Sequence, residues 1–254
     1  NIIYDTTIEE YQKQEKENNS LNLPSHIDLA IYTPAVPEDC VVMQAIKAMD
    51  IPLMKRAAFL GEVTKNKKVI AVSGTHGKTT ISGMIAEILK ESSVGCSAFL
   101  GGISNNLHTN FIYNGESEYV VAEADEYDRS FLQLRPFISV VTAIDPDHLD
   151  IYHNYDNLHK AFESFVEKTS NEGQLFIKRN VKDSDALIEH SGTNNINFYS
   201  FDDIEANYYA WNVRVERGSY YFDFVTPKKV YYDIHLNYPG LHNIENAVVA
   251  MAVC

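Results

Sequence analysis

Val69-Ile70-Ala71-Val72-Ser73-Gly74-Thr75-His76-Gly77-Lys78-Thr79-Thr80 reads as a β-strand delivering a phosphate-binding turn, and the apolar periodicity of Ile81 to Lys90 continues it as a helix. Gly74 and Gly77 let the backbone turn its N–H groups toward an anion. The helix N-terminus adds the positive end of its dipole, Lys78 supplies a point charge, and the Thr79 hydroxyl can reach Mg²⁺. Only Thr75 and His76 separate Gly74 from Gly77, so this is a shorter relative of the common loop. The alternative is a Gly-rich turn with an incidental lysine. The complete set of parts favours a nucleoside triphosphate, ATP or GTP, held by Gly74, Thr75, His76, Gly77, Lys78, Thr79 and Thr80.

The rest of the composition narrows the ligand. A chain of 254 residues, 45% hydrophobic, can bury a sizeable core in one large or two modest domains. Its net charge of −14 argues against the broad phosphate-neutralising surface that nucleic-acid binding requires. No nucleic acid is expected as a partner, and Lys78 must serve a small anionic ligand. Cys40, Cys96 and Cys254 are widely spaced, which disfavours a disulfide framework or structural zinc and suits buried thiols in a reducing cytoplasm. Neither a signal peptide nor an apolar run near the ~18 residues of a membrane span is visible, so no membrane insertion is expected.

Both ends look cut: the chain opens without Met and closes inside the apolar helical pattern Asn243 to Cys254, which suggests a piece of something longer. Residues 1–65 combine a short strand (Leu29 to Tyr32) with helical stretches (Thr7 to Asn18, Cys40 to Met49, Lys55 to Val63), as in part of a small α/β domain. The polar run Thr64 to Lys68 is the linker, and a second domain covers 66–254. There, strands Tyr119 to Glu123, Ile138 to Ile144 and Gln174 to Lys178 alternate with helices at 80–91 and 155–169, predicting a mostly parallel sheet flanked by helices. From Asn197 onward the strands Phe198 to Phe201, Tyr208 to Val215, Tyr220 to Val225 and Val230 to Leu236, with the turn at Glu216 to Ser219, predict an antiparallel extension.

Two further strand ends carry chemistry. Behind Tyr119 to Ala122 come Glu123, Asp125, Glu126 and Asp128, hard oxygen donors suited to Mg²⁺ at the edge where ligands sit in open α/β sheets. After Phe137 to Ile144 comes Asp145-Pro146-Asp147-His148, in which His148 can ligate a metal or orient a phosphate. A solvated acidic loop and a loop histidine are the plain alternatives. Their placement on strand ends beside the phosphate loop favours a shared site. His153 and His159 read as surface residues, because no His-Glu-x-x-His spacing exists. Asn243 and Asn246 share one face of the last helix, where two amides can meet the edge of a base or simply cap and solvate the helix.

Taken in order, Tyr32 to Val36, Met54 to Ala57, Gly74 to Thr80, Glu123 to Glu126, Asp147 to Asp150 and Gly240 to Asn243 resemble the Mur ligases, the ATP-dependent amino-acid ligases of peptidoglycan synthesis. The resemblance implies a Rossmann-like N-terminal domain for a UDP-sugar, of which residues 1–65 would be the later part, and a central P-loop ATPase domain over 66–254. It also implies a C-terminal domain beyond this chain. Carried onto matching positions, it gives catalytic roles to Lys78, Glu123 and His148, and Mg²⁺ to Thr79, Glu123 and His148. His242, Asn243 and Asn246 would contact the adenine nucleotide.

The acid implied is UDP-N-acetylmuramate, activated as an acyl phosphate, and the amine L-alanine. Tyr127 stands where the family's acidic motif usually has Ser, which keeps a tripeptide open as the amine substrate; Asp147 to Tyr152 favours alanine. Lys160 is the only nearby candidate for the carbamylated lysine of some relatives. Two other classes differ in kind: a nucleotide-gated binding module that forms no amide, and a metal hydrolase built on His148, Asp147 and Glu123, which would leave Lys78 without a task.

Overall fold

The computed structural model describes residues 23, 24, 26–146 and 149–254. The expected helix Thr7 to Asn18 lies outside them, as do Asp147 and His148. The chain divides into two compact units, Asn1–Glu62 and Val63–Cys254.

In the first unit, β1 (Ala30–Tyr32) pairs in parallel with β2 (Leu53–Lys55), aligning Ala30 with Leu53 and Tyr32 with Lys55. Helix α1 (Val41–Ala48) connects them and buries Met43, and α2 (Arg56–Val63) follows β2 directly. Parallel pairing demands a crossover of this kind, because a tight hairpin can only join antiparallel strands.

The second unit is built on β3 (Lys68–Ser73), whose residues from Val69 onward are all buried. Near-continuous Val, Ile and Ala suit a strand covered on both faces. It lies between β6 (Tyr119–Glu123) and β7 (Pro136–Val141), both parallel to it. Beyond β6 come β4 (Ser97–Phe99) and the antiparallel edge β5 (Phe111–Ile112). Beyond β7 come β8 (Gln174–Lys178), β9 (Ile196–Ser200), β10 (Tyr208–Glu216), β11 (Ser219–Val225) and β12 (Val230–Leu236). The antiparallel extension is narrower than the sequence suggested. β9 still pairs in parallel with β8 and with the start of β10, and the reversal comes only at the hairpin into β11.

One face of the sheet is covered by α3 (Lys78–Glu91) and α7 (Leu241–Val253), whose Ile81, Ile85, Leu89, Ile244 and Val248 share a core with Ile70, Val72, Val121 and Val140. The alternate strand residues point the other way, as a period of two requires. There Ser139 Oγ lies 2.7 Å from Thr169 Oγ1, just beyond α5 (Tyr155–Glu167), which places α5 over that face. Asn154 caps α5 by accepting the Asn157 N–H at 2.9 Å. Its Phe165 stacks on Phe131 of the 3₁₀ segment Tyr127–Gln133, ring centroids 5.1 Å apart, and Phe162 meets the same ring edge-on. Two short helices complete the unit, α4 (Leu149–Tyr152) and α6 (Ser184–Glu189). Among the described residues no helix is long and apolar enough to cross a membrane.

The chain leaves β3 outward to β4, returns to β6, then crosses to β7 on the other side. That reversal opens a crevice at the carboxyl ends of β3, β6 and β7. All three sequence motifs leave the sheet at that edge.

Candidate active site

Gly74 (φ 126°) and Gly77 (φ 82°) both adopt backbone angles that side-chain-bearing residues resist. Gly74 is packed so tightly against Thr142 and Ala143 that it leaves no room for a Cβ. The loop is pinned to the segment after β7: Thr75 N–H donates to Ala143 O (3.0 Å) and Thr142 Oγ1 to His76 O (2.5 Å). Asp145 adds a third anchor, its Oδ2 lying 3.3 Å from Thr75 Oγ1 and 3.2 Å from His76 Nε2. Gly77 caps α3 in the left-handed region, and a Cβ there would sit 3.0 Å from Asn246 Oδ1. The first turn of α3 therefore opens beside α7.

Lys78 does not project freely. Its Nζ donates to Gly74 O and reaches both carboxylate oxygens of Glu126, each at 2.9 Å, and Glu126 is fully buried. Glu126 thus separates from the other carboxylates of its motif: it partners the loop lysine. Glu123 ends β6 and accepts the Gly101 N–H at 3.0 Å. Gly101 lies directly against the Glu123 carboxylate, while the next residue, Gly102, approaches Thr79, its missing Cβ 3.7 Å from Thr79 Cγ2. Consecutive glycines thus pack against Glu123 and against the Thr79 methyl group in turn. Carboxylate and hydroxyl oxygens suit a hard cation such as Mg²⁺. Among the described residues no three His, Cys, Asp or Glu side chains gather as a metal cluster. His148, the third expected donor, lies outside the described residues.

A cleft of about 870 Å³ opens on the α7 side of the loop. His76, Gly77, Thr80, His242 and Asn246 line it, as do residues that the motifs did not single out, above all Lys178 at the end of β8 and Arg179 and Lys182 just beyond it, with Tyr199 and Glu245. Their signal was available, since these cations also leave a strand's carboxyl end. Lys178 pairs with Glu245 (2.8 Å) and Arg179 with Asp203 (3.1 Å). Burial, helped by the charge of Glu245, raises the Tyr199 phenol well above its ordinary pKa. Asn243 has a different task from Asn246: it is buried, donates to Pro239 O at 2.6 Å and accepts from Asn246 Nδ2 at 3.1 Å, so it orients the amide that faces the cleft. A second cleft, about 300 Å³, lies on the other side of α3 between Thr79, Thr80, Glu87 and the loop Gly102–Asn106.

His153 is exposed, as expected, but His159 is buried on the inner face of α5. Its Nδ1 lies 3.0 Å from Glu163, one helical turn along, while its Nε2 is buried without a hydrogen-bond partner among the described residues. Lys160 is exposed on the same helix. Cys40 and Cys96 are buried thiols, whereas Cys254 is exposed.

The Mur ligase middle domain family matches residues 72–254, from the end of β3 through α7. The chain belongs to the Mur ligase family. Among curated Mur ligases it is 43% identical over 89% of its length to the UDP-N-acetylmuramate–L-alanine ligase of Parabacteroides distasonis, and 40% identical over 89% to that of Porphyromonas gingivalis. It covers 48% and 49% of those proteins, so it spans about half the length of the curated relatives it matches. Of solved structures, the UDP-N-acetylmuramate–alanine ligase of Thermotoga maritima superimposes with a TM-score of 0.76 at 26% identity, over 91% of this chain and 51% of that one. The UDP-N-acetylmuramate:L-alanyl-γ-D-glutamyl-meso-diaminopimelate ligase of Neisseria meningitides shares the fold, with a TM-score of 0.78 at 21% identity over 99% of this chain and 82% of that one.

Proposed function

We propose that this Mur ligase chain is the nucleotide-binding part of an ATP-dependent enzyme that joins L-alanine to the carboxylate of UDP-N-acetylmuramate, in cytoplasmic peptidoglycan precursor synthesis. The observation that carries the reading is the meeting of the phosphate loop with Glu123 across Gly101 and Gly102. The names of the relatives, each at about two-fifths identity, support the choice of acid and amine.

The chemistry needs two anions brought together, a triphosphate and a carboxylate. The N–H groups of the loop and of the first turn of α3 receive the phosphates, and Lys78 contacts the β- and γ-phosphoryl oxygens, where charge builds as the bond to ADP breaks. Thr79 and Glu123, joined by His148 from the sequence motif, would hold Mg²⁺, which when bound neutralises charge between phosphate and acid. The nucleoside end lies in the larger cleft, with His242 and Asn246 on its wall. The carboxylate then enters from the smaller cleft beside Thr79, attacks the γ-phosphorus and leaves as an acyl phosphate. The alanine amine displaces phosphate from that acyl group to form the amide.

Residues 1–65 would be the later part of the UDP-sugar domain and 66–254 the ATP domain. Selection of the amine belongs to sequence beyond this chain. Tyr127, exposed at the mouth of the acidic motif, is the feature that keeps a tripeptide as the second choice of amine. Full-length enzyme given UDP-N-acetylmuramate, ATP and a panel of amino acids or the tripeptide decides the matter. The expected product is a single new amide with alanine, by mass, matched by phosphate release. Phosphate without an amide would indicate a nucleotide-gated module, and turnover without ATP a metal hydrolase.

A further inference from the structure

Lys78 is anchored by acceptors of the protein itself. Its ammonium has three N–H groups, and Gly74 O and the Glu126 carboxylate stand at fixed positions around it, all at 2.9 Å. Only 14% of the Lys78 side chain is exposed, and none of that of Glu126. A buried carboxylate is costly to desolvate unless paired, and the Lys78 ammonium supplies a pairing for Glu126.

The backbone around Glu126 is held with equal care. Tyr152, itself fully buried, donates its hydroxyl to Glu126 O at 2.5 Å. Phe131 N–H donates to Asp125 O at 2.9 Å. Asp128 and Arg129, in succession, take left-handed angles of φ 51° and 54°. Non-glycine residues adopt that region at a cost, and such strain persists only where surrounding contacts over-determine it. The segment folds back on itself, and the result is a carboxylate driven inward under the phosphate loop.

We propose that Glu126 is a positioning residue and resident counter-anion for Lys78. Its two oxygens and Gly74 O supply three acceptors for the three N–H groups and hold the ammonium at the phosphate loop, where one of these bonds is exchanged for a γ-phosphoryl oxygen when nucleotide binds. The inference rests on the nucleotide reading of the loop and deepens it. It has two opposing consequences. A carboxylate next to the lysine repels the triphosphate, so it weakens ground-state binding; by orienting the ammonium, it speeds phosphoryl transfer.

Glu126→Gln separates the two. In the full-length enzyme this variant should bind the imido analogue of ATP with Mg²⁺ about tenfold more tightly, and its kcat should fall about tenfold or more. Its melting temperature without nucleotide should drop, and the rise on adding the analogue should exceed the wild-type rise, because phosphate replaces the missing anion. In a Lys78→Ala background the same change should no longer alter affinity. Glu126→Asp keeps the charge but withdraws it by one methylene, so it should retain near wild-type affinity while kcat falls; it serves if the Gln variant does not fold. Equal thermal shifts and unchanged kcat in the variants would overturn the role of Glu126 alone. Failure of the wild-type enzyme to bind the analogue would overturn the nucleotide reading and this one with it.

Discussion

Lys78, Glu123 and Tyr152 show how single side chains are set by their surroundings. Lys78→Ala in the full-length enzyme should slow the chemical step by roughly a hundredfold, the order seen when one preorganised electrostatic contact to a transition state is removed; single-turnover phosphate release is the measurement. Gly101→Ala puts a methyl group where the Glu123 carboxylate stands. The carboxylate must move, and the Mg²⁺ concentration for half-maximal activity should rise about tenfold or more, as when a group orienting a ligand is lost. Tyr152 links residue to stability. Burial, with the neighbouring charge of Glu126, pushes its phenol from 10.0 up to about 12. The folded protein therefore keeps a proton that the unfolded chain releases between those values, so stability declines as pH rises through that window. Tyr152→Phe should flatten this alkaline limb of a denaturation series, and an unchanged limb would show that the phenol titrates normally.

Among the elements, the aromatic cluster of Phe131, Phe162 and Phe165 ties α5 to the 3₁₀ segment that directly follows Glu126. Phe162 is fully buried. Phe162→Ala should cost about 3–5 kcal/mol of stability, read from denaturant midpoints, and should weaken the hold on Glu126 as well. Much of this architecture was legible. The runs Tyr119 to Glu123, Gln174 to Lys178 and Val230 to Leu236 are apolar or alternating and appear as strands over those residues. β4 and β5 escaped notice because three and two residues are too few to show a period. The parallel pairing of β9 with β10 also escaped, because strand direction depends on where the chain returns and not on local pattern. At the site, the glycines and Lys78 announced themselves through turn chemistry. The Glu126 contact did not, since a cluster of acids looks the same whether it faces a metal or a distant lysine. His159 was misread for a related reason: spacing excludes a metal motif but says nothing of burial.

Over the whole molecule, charge and extent matter most. With a net charge of −14 the protein should show no measurable binding to duplex DNA at physiological salt, a point that a filter or anisotropy assay checks. The chain spans about half of its curated relatives, and the ligase reading needs the remainder to deliver the amine. Residues 1–254 by themselves should bind Mg²⁺·ATP while leaving the amide unformed, and the full-length enzyme should form it. The central claim is that phosphoryl transfer goes to the muramyl carboxylate. Turnover of full-length enzyme with UDP-N-acetylmuramate whose carboxylate carries heavy oxygen, followed by mass analysis of the released phosphate, tests it most directly. The account predicts one labelled oxygen in each phosphate, passed through the acyl phosphate; phosphate free of label would mean that water, not the acid, attacks ATP.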